Sequence, residues 1–241
     1  MPQGPEGRAR ACLIDVYDTI LVSRFEARMK AVIEPLGIPV AEWLAEWDKL
    51  REARDRGKVT VAASFARTLP AFGVEPAPGL VADLSRRDAE LRRSYVRLCE
   101  DTIPFLRRLR SNGVLTALVS NCEDTTRGML AQLGLISLVD AVVLSCEVGS
   151  IKPYPEIYHT ALDDLGVAAV DAVFIDDQPM HCAGAEAVGI RPLRIVRGES
   201  DGHVGQRRFP VVHSLFDASS LFGVDLSTSG PGKLPFGTLP V

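Results

Sequence analysis

No run of about 18 apolar residues occurs anywhere in the sequence, so no segment has the length of a membrane-spanning helix. Met1 to Arg10 lacks the apolar stretch of a secretory leader, and a cytoplasmic location is expected. Positive charge is not in surplus: 27 Lys and Arg face 31 Asp and Glu, a net charge of −4. Nothing in that balance attracts nucleic acid or an anionic membrane, and neither is expected as a partner. Cysteine is sparse and shows no pairing pattern. The five residues Cys12, Cys99, Cys122, Cys146 and Cys182 are odd in number and include no C-x-x-C spacing, which suits a reduced protein without a disulfide framework. Cys122 has no His close to it in sequence and reads as a packing thiol, not a nucleophile.

What the chain does have is apolar material, 46% of its 241 residues, enough for a substantial core. Three short apolar runs, Ala11 to Ile14, Val114 to Val119 and Ala172 to Ile175, read as buried parallel strands. From Asp101 onward strands and helices alternate. Helices are expected to Arg110, over Thr125 to Leu133, Pro155 to Leu165 and His181 to Val188, with further strands at Ala141 to Leu144 and near Leu193 to Val196. Alternation of this kind implies right-handed crossovers and an α/β fold, a Rossmann-like, mostly parallel sheet with helices on both faces. The first strand must join that sheet, because alone it has no partner.

Between the first two strands lies a different pattern. Apolar residues recur at helical spacing over Phe25 to Leu36, Val40 to Leu50, Val61 to Phe72 and Leu80 to Leu98, punctuated by Gly and Pro, which predicts a four-helix insertion. Trp43 and Trp47, four residues apart, are expected to pack in its core. The arginines Arg86, Arg87, Arg92, Arg93 and Arg97 are interleaved with acids and read as a solvated helix face. The expected division is an α/β core at 9–21 and 99–225, a helical domain at 22–98 and a Gly- and Pro-rich flexible tail at 226–241.

Each of the three runs leads into polar residues. Together with Lys152, which follows none of these runs, they make four segments, in order along the chain Asp15-Val16-Tyr17-Asp18-Thr19, Ser120-Asn121, then Lys152, then Asp176-Asp177. Ligands of open α/β sheets sit at the carboxyl ends of the strands, so these residues are expected to share one crevice. Asp15, Asp176 and Asp177 would repel one another there unless a cation joined them, and a hard, oxygen-ligated ion, Mg²⁺, suits that role.

In order and residue type the four segments resemble the haloacid dehalogenase superfamily of aspartate-nucleophile hydrolases. The resemblance implies that 22–98 is a cap over the catalytic edge. It also implies Mg²⁺ held by Asp15, the Tyr17 carbonyl and Asp177, with Asp176 binding directly or through water. Asp15 is then the nucleophile toward a phosphoryl group, Ser120 and the Asn121 N–H bind its oxygens, and Lys152 complements the charge. The expected function is a phosphatase of a small, anionic, phosphorylated metabolite, and Ser23, Arg24, Phe25 and Arg28 are the first candidates for reading that substrate. The pattern specifies no oligomeric state.

One position departs from the phosphatase pattern. An acid usually stands two residues after the nucleophile, where this chain has Tyr17. A phenol can donate a proton, yet near pH 7 it is a poor base, so breakdown of an aspartyl-phosphate is expected to be slow. Asp18, one residue further on, reads as a capping or hinge residue. Tyr17 resembles the first motif of the L-2-haloacid dehalogenases, Asp-x-Tyr-Gly-Thr, whose chemistry needs no metal. Asp176-Asp177 argues against that alternative, since those enzymes carry small polar residues there. A weakly active relative that only binds a phosphorylated ligand is the remaining alternative.

Overall fold

The segment Ala11-Cys12-Leu13-Ile14 has no polar residue to turn toward water, and it forms strand β1 (Ala11–Ile14) with every residue buried. A strand buried on both faces needs neighbours on both edges. It finds them in β4 (Leu115–Ser120) and β6 (Ala172–Asp176), each paired with it in parallel. In the computed structural model, which describes residues 8–197 and 208–223, the strands β5 (Ala141–Leu144), β7 (Arg191–Ile195) and β8 (Val211–Val212) complete the sheet. Its order is β5-β4-β1-β6-β7-β8, and every pairing is parallel. The expected tail at 226–241 lies outside the described residues.

Alternation along β1 divides the core into two layers. Cys12 and Ile14 pack with Phe105, Leu106 and Leu109 of α6 (Thr102–Ser111) and with Met129 and Leu130 of α7 (Thr126–Gln132). Ala11 and Leu13 pack on the other side with Ile157 and Tyr158 of α9 (Pro155–Leu165) and Ala185 of α10 (Pro179–Ala187). Helices therefore cover both faces of a parallel sheet, a Rossmann-like α/β fold. Gly184 lets α10 reach the loop after Lys152: a Cβ there would stand 2.6 Å from the Pro153 carbonyl oxygen and 2.8 Å from the Tyr158 hydroxyl.

Strands β2 (Leu21–Ser23) and β3 (Val96–Leu98) pair antiparallel and carry a helical segment between them. It contains α1 (Phe25–Ile33), α2 (Val40–Asp48), α3 (Arg51–Asp55), α4 (Val61–Thr68) and α5 (Pro78–Arg92). Met29, Val32, Trp43, Trp47, Phe65 and Leu84 form its own apolar cluster, separate from the two layers of the sheet. Trp43 and Trp47 stack with ring centroids 6.1 Å apart.

Three expectations need correction here. The last helix stops at Arg92, and Val96–Leu98 is a strand, because Leu21–Ser23 offers it a hydrogen-bonding edge that helical periodicity does not reveal. Arg51–Asp55 adds a short helix. Finally, the basic stretch is not wholly solvated: Arg92 is 5% exposed and Asp88 only 1%, because Arg28 and Glu123 surround them with opposite charge.

The segment docks on the α/β core through its backbone as well as through side chains. Gly57 adopts φ 66° against the carbonyl of Cys146 in the short helix α8 (Ser145–Val148), leaving no space for a Cβ. The Val61 N–H donates to Asp124 Oδ1 at 3.1 Å. Among the described residues, no helix is long and apolar enough to cross a membrane.

Candidate active site

Because β1, β4 and β6 run parallel side by side, their carboxyl ends bring Asp15, Ser120 and Asp176 to one edge. Asp15 is buried, and its carboxylate accepts from Lys152 Nζ at 2.5 Å and from Thr19 Oγ1 at 3.4 Å. The same ammonium donates to Asp176 Oδ2 at 2.6 Å. Lys152 is held from behind by Asn121, whose Oδ1 accepts from the Lys152 N–H at 2.7 Å and whose amide donates to its carbonyl at 2.9 Å. This two-point clamp fixes the Lys152 backbone independently of the charge on its side chain.

Asp176 is fully buried. Its Oδ1 accepts from the Gln178 N–H at 2.7 Å and lies 3.0 Å from His181 Nδ1. Asp177 faces the cavity, with the Gln178 side-chain amide donating to it at 2.6 Å. Carboxylate oxygens of Asp15, Asp176 and Asp177 all lie within 4.8 Å of one another.

The electrostatics follow from crowding three acids around one base. Burial pushes the Asp15 carboxyl up to about 7, opposed by Lys152 and reinforced by Asp176 and Asp177. Burial and the adjacent Asp176 push Asp177 up to about 6. For Asp176 burial acts the same way, but Lys152 and His181 outweigh it and hold the acid below the usual carboxylate range. Burial works against the Lys152 ammonium, yet Asp15 and Asp176 together raise its pKa. With all three acids ionised, one ammonium leaves two negative charges uncompensated. A compact set of hard oxygen donors with that excess fits a divalent cation such as Mg²⁺.

Tyr17 lines the same cavity, its hydroxyl 3.2 Å from Thr126 Oγ1. Burial pushes the phenol up to about 12, so at neutral pH it is a proton donor and not a base. Asp18 sits at φ 57°, a left-handed turn in which its N–H donates to the Leu21 carbonyl at 2.7 Å. Asp is one of the few non-glycine residues that tolerate this conformation.

Two other sequence candidates do not line the cavity. Ser120 is fully buried at the end of β4, its hydroxyl 3.4 Å from the Asn121 carbonyl, and does not line the cavity. Arg24 is exposed and lines a groove between α1 and α2 that adjoins the cavity without containing Asp15. Arg28, one turn later, is 3% exposed and does line it.

The cavity, about 590 Å³, also contains residues that sequence reasoning missed: Arg54, Arg92, Glu123, Gln178 and His181. Glu123 follows Ser120 by three residues in the same strand-end loop, which was the available signal. The arginines belong to helices whose inward faces only the tertiary structure reveals.

Comparison with known proteins agrees with this geometry. The family model described as haloacid dehalogenase-like hydrolase matches residues 9–189. Glyceraldehyde 3-phosphate phosphatase from Methanopyrus kandleri is 31% identical over 198 residues, covering 79% of this chain and 85% of that protein. (S)-2-haloacid dehalogenase 4A from Burkholderia cepacia is 29% identical over 228 residues, covering 88% of this chain and 93% of that protein. The crystal structure of a HAD phosphatase from Thermococcus onnurineus superposes with a TM-score of 0.67 at 23% identity, over 90% of this chain and 99% of the other. Match, fold and strand-edge acids agree: the chain belongs to the haloacid dehalogenase-like hydrolases.

Proposed function

We propose that this hydrolase is a metal-dependent phosphatase of small phosphorylated metabolites, working in the cytoplasm with Asp15 as its nucleophile. The observation that carries the reading is the approach of three carboxylates to within 4.8 Å around a single buried ammonium. Asp15, Asp177 and the Tyr17 carbonyl would hold Mg²⁺, with Asp176 beside them. Mg²⁺ would supply charge neutralisation at the phosphoryl oxygens.

Asp15 attacks phosphorus through one carboxylate oxygen as the bond from phosphorus to the leaving alkoxide breaks, giving an aspartyl-phosphate. Lys152, held by Asn121, keeps that carboxylate oriented and opposes the charge that develops on the transferring group. Tyr17, protonated at neutral pH, can give a proton to the alkoxide. Water then opens the acyl phosphate and restores the Asp15 carboxylate. Since Tyr17 cannot take the proton of that water at pH 7, this second step is expected to limit turnover. The helical segment between β2 and β3 acts as the cap, covering Asp15 with arginine-bearing helices and excluding solvent.

Tyr17 and the haloacid dehalogenase relative support a second reading, displacement of halide from carbon by the same Asp15. Asp176 and Asp177 speak against it, because uncompensated acids would repel a haloacid carboxylate. The test is a panel of phosphate monoesters, including p-nitrophenyl phosphate, with and without Mg²⁺, run beside 2-chloropropionate. Mg²⁺-dependent phosphate release is expected. Metal-independent halide release without phosphate release would reverse the assignment, and silence in both would leave a phospholigand-binding relative.

A further inference from the structure

Opposite the catalytic acids, three helices of the helical segment contribute arginines to the same cavity: Arg28 from α1, Arg54 from α3 and Arg92 from α5. They converge on Glu123. Arg92 Nη2 donates to its carboxylate at 2.6 Å, whereas Arg28 Nη2 and Arg54 Nε stop at 3.6 Å, beyond hydrogen-bond length. Asp88 accepts from Arg28 and, at 2.6 Å, from Arg92. Arg54 gives one N–H to the Trp47 carbonyl at 2.8 Å.

Guanidinium donors are left over. The Nε of Arg92 is buried without any hydrogen-bond partner, although that residue is 5% exposed. An unsatisfied donor of this kind costs stability unless something else fills it. Of the neighbouring acids, Asp48 is paired with Arg51 at 2.6 Å. Glu123 itself shows that Arg92 bonds a carboxylate here.

We infer that Arg28, Arg54 and Arg92 form a receptor for a second anionic group on the substrate. The preferred substrates are then short phosphate monoesters that carry a carboxylate, or a second phosphoryl group, on the carbon skeleton. The planar fork of arginine matches both anions in bidentate fashion. This deepens the phosphatase reading and rests on it for the phosphate end of the substrate.

Matched pairs that differ only in the second charge test the inference: 3-phosphoglycerate against glycerol 3-phosphate, and 1,3-propanediol bisphosphate against 3-hydroxypropyl phosphate. With Mg²⁺ present, the full-length protein is expected to favour the partner with the second anionic group in each pair at least 30-fold in kcat/KM, chiefly through KM. The larger of the two ratios identifies carboxylate or phosphate as the anion read. Arg54→Gln should bring the favoured ratio to within about threefold of unity, while Arg54→Lys should restore only part of it. Calorimetric titration of the wild-type protein with the same pairs reads the preference without turnover. Equal affinities within each pair, or a ratio that Arg54→Gln leaves intact, would overturn the receptor. A binding preference without phosphate release would instead remove the catalytic reading and uphold the receptor.

Discussion

The two charged clusters facing one cavity differ in what they are short of. On the sheet edge, Asp15, Asp176 and Asp177 share one ammonium and have an excess of acceptors. On the helical side, Arg28, Arg54 and Arg92 share Asp88 and Glu123 and have an excess of donors. A buried charge normally neutralises or finds a partner. Clusters incomplete in these opposite senses are what led us to propose a cation with a phosphoryl group at the floor and a further anion at the wall. Their construction differs too. Strand ends of a single sheet set the floor, while three separate helices must pack correctly before the wall exists.

Removing the proposed nucleophile should break the comparison most sharply. Asp15→Asn is expected to lower Mg²⁺-dependent phosphate release about 1,000-fold or more, with the far-ultraviolet circular dichroism unchanged. Retained turnover would show that the floor acts through another group. At the wall, Arg92→Met removes the arginine that bonds both Asp88 and Glu123, leaving one buried and one half-buried carboxylate with fewer partners. A loss of about 3 kcal/mol in urea unfolding is expected. A loss below about 1 kcal/mol would mean that the network is solvated in solution.

The smallest effect concerns pH. The Asp55 carboxyl rises from its ordinary value near 3.8 to about 6, through burial first and despite Arg51 and Arg54. The raised value means that the folded state disfavours the charged form, so the wild-type protein bears a penalty at pH 7 and above. That penalty fades as the pH falls from about 6 to about 4 and the acid becomes protonated in both states. Asp55→Asn should thus stabilise by about 1 kcal/mol at pH 8, after discounting for partial exposure, with little effect near pH 4. Stabilisation of equal size at both pH values would exclude charge as its cause.

How much of this was legible beforehand depended on the range of the interactions. The strands that deliver Asp15, Ser120 and Asp176 to the edge are readable within a residue or two, because an apolar run ending in polar residues is a local pattern. Pro155–Leu165 matched the expected helix at both ends, with Pro at its first position and Gly166 beyond its last. By contrast the helical spacing over Leu80 to Leu98 conceals the strand Val96–Leu98, whose strand character comes from Leu21–Ser23, more than seventy residues earlier. Arg92 was read as solvated for the same reason. Of the candidates for contacting substrate, Arg24 and Ser120 stand outside the cavity, while Arg54 and Glu123 inside it had no motif to announce them.

The amino-acid order by itself determined the parallel α/β sheet and the sequence of catalytic-edge motifs, because hydrophobic periodicity and strand-end polarity are written within a few consecutive residues. Only the tertiary structure decided which arginines became buried, that Asn121 clamps Lys152, and that Glu123 meets three helices at once. Those contacts join residues far apart along the chain, and their free energy arises only when packing removes water from between them.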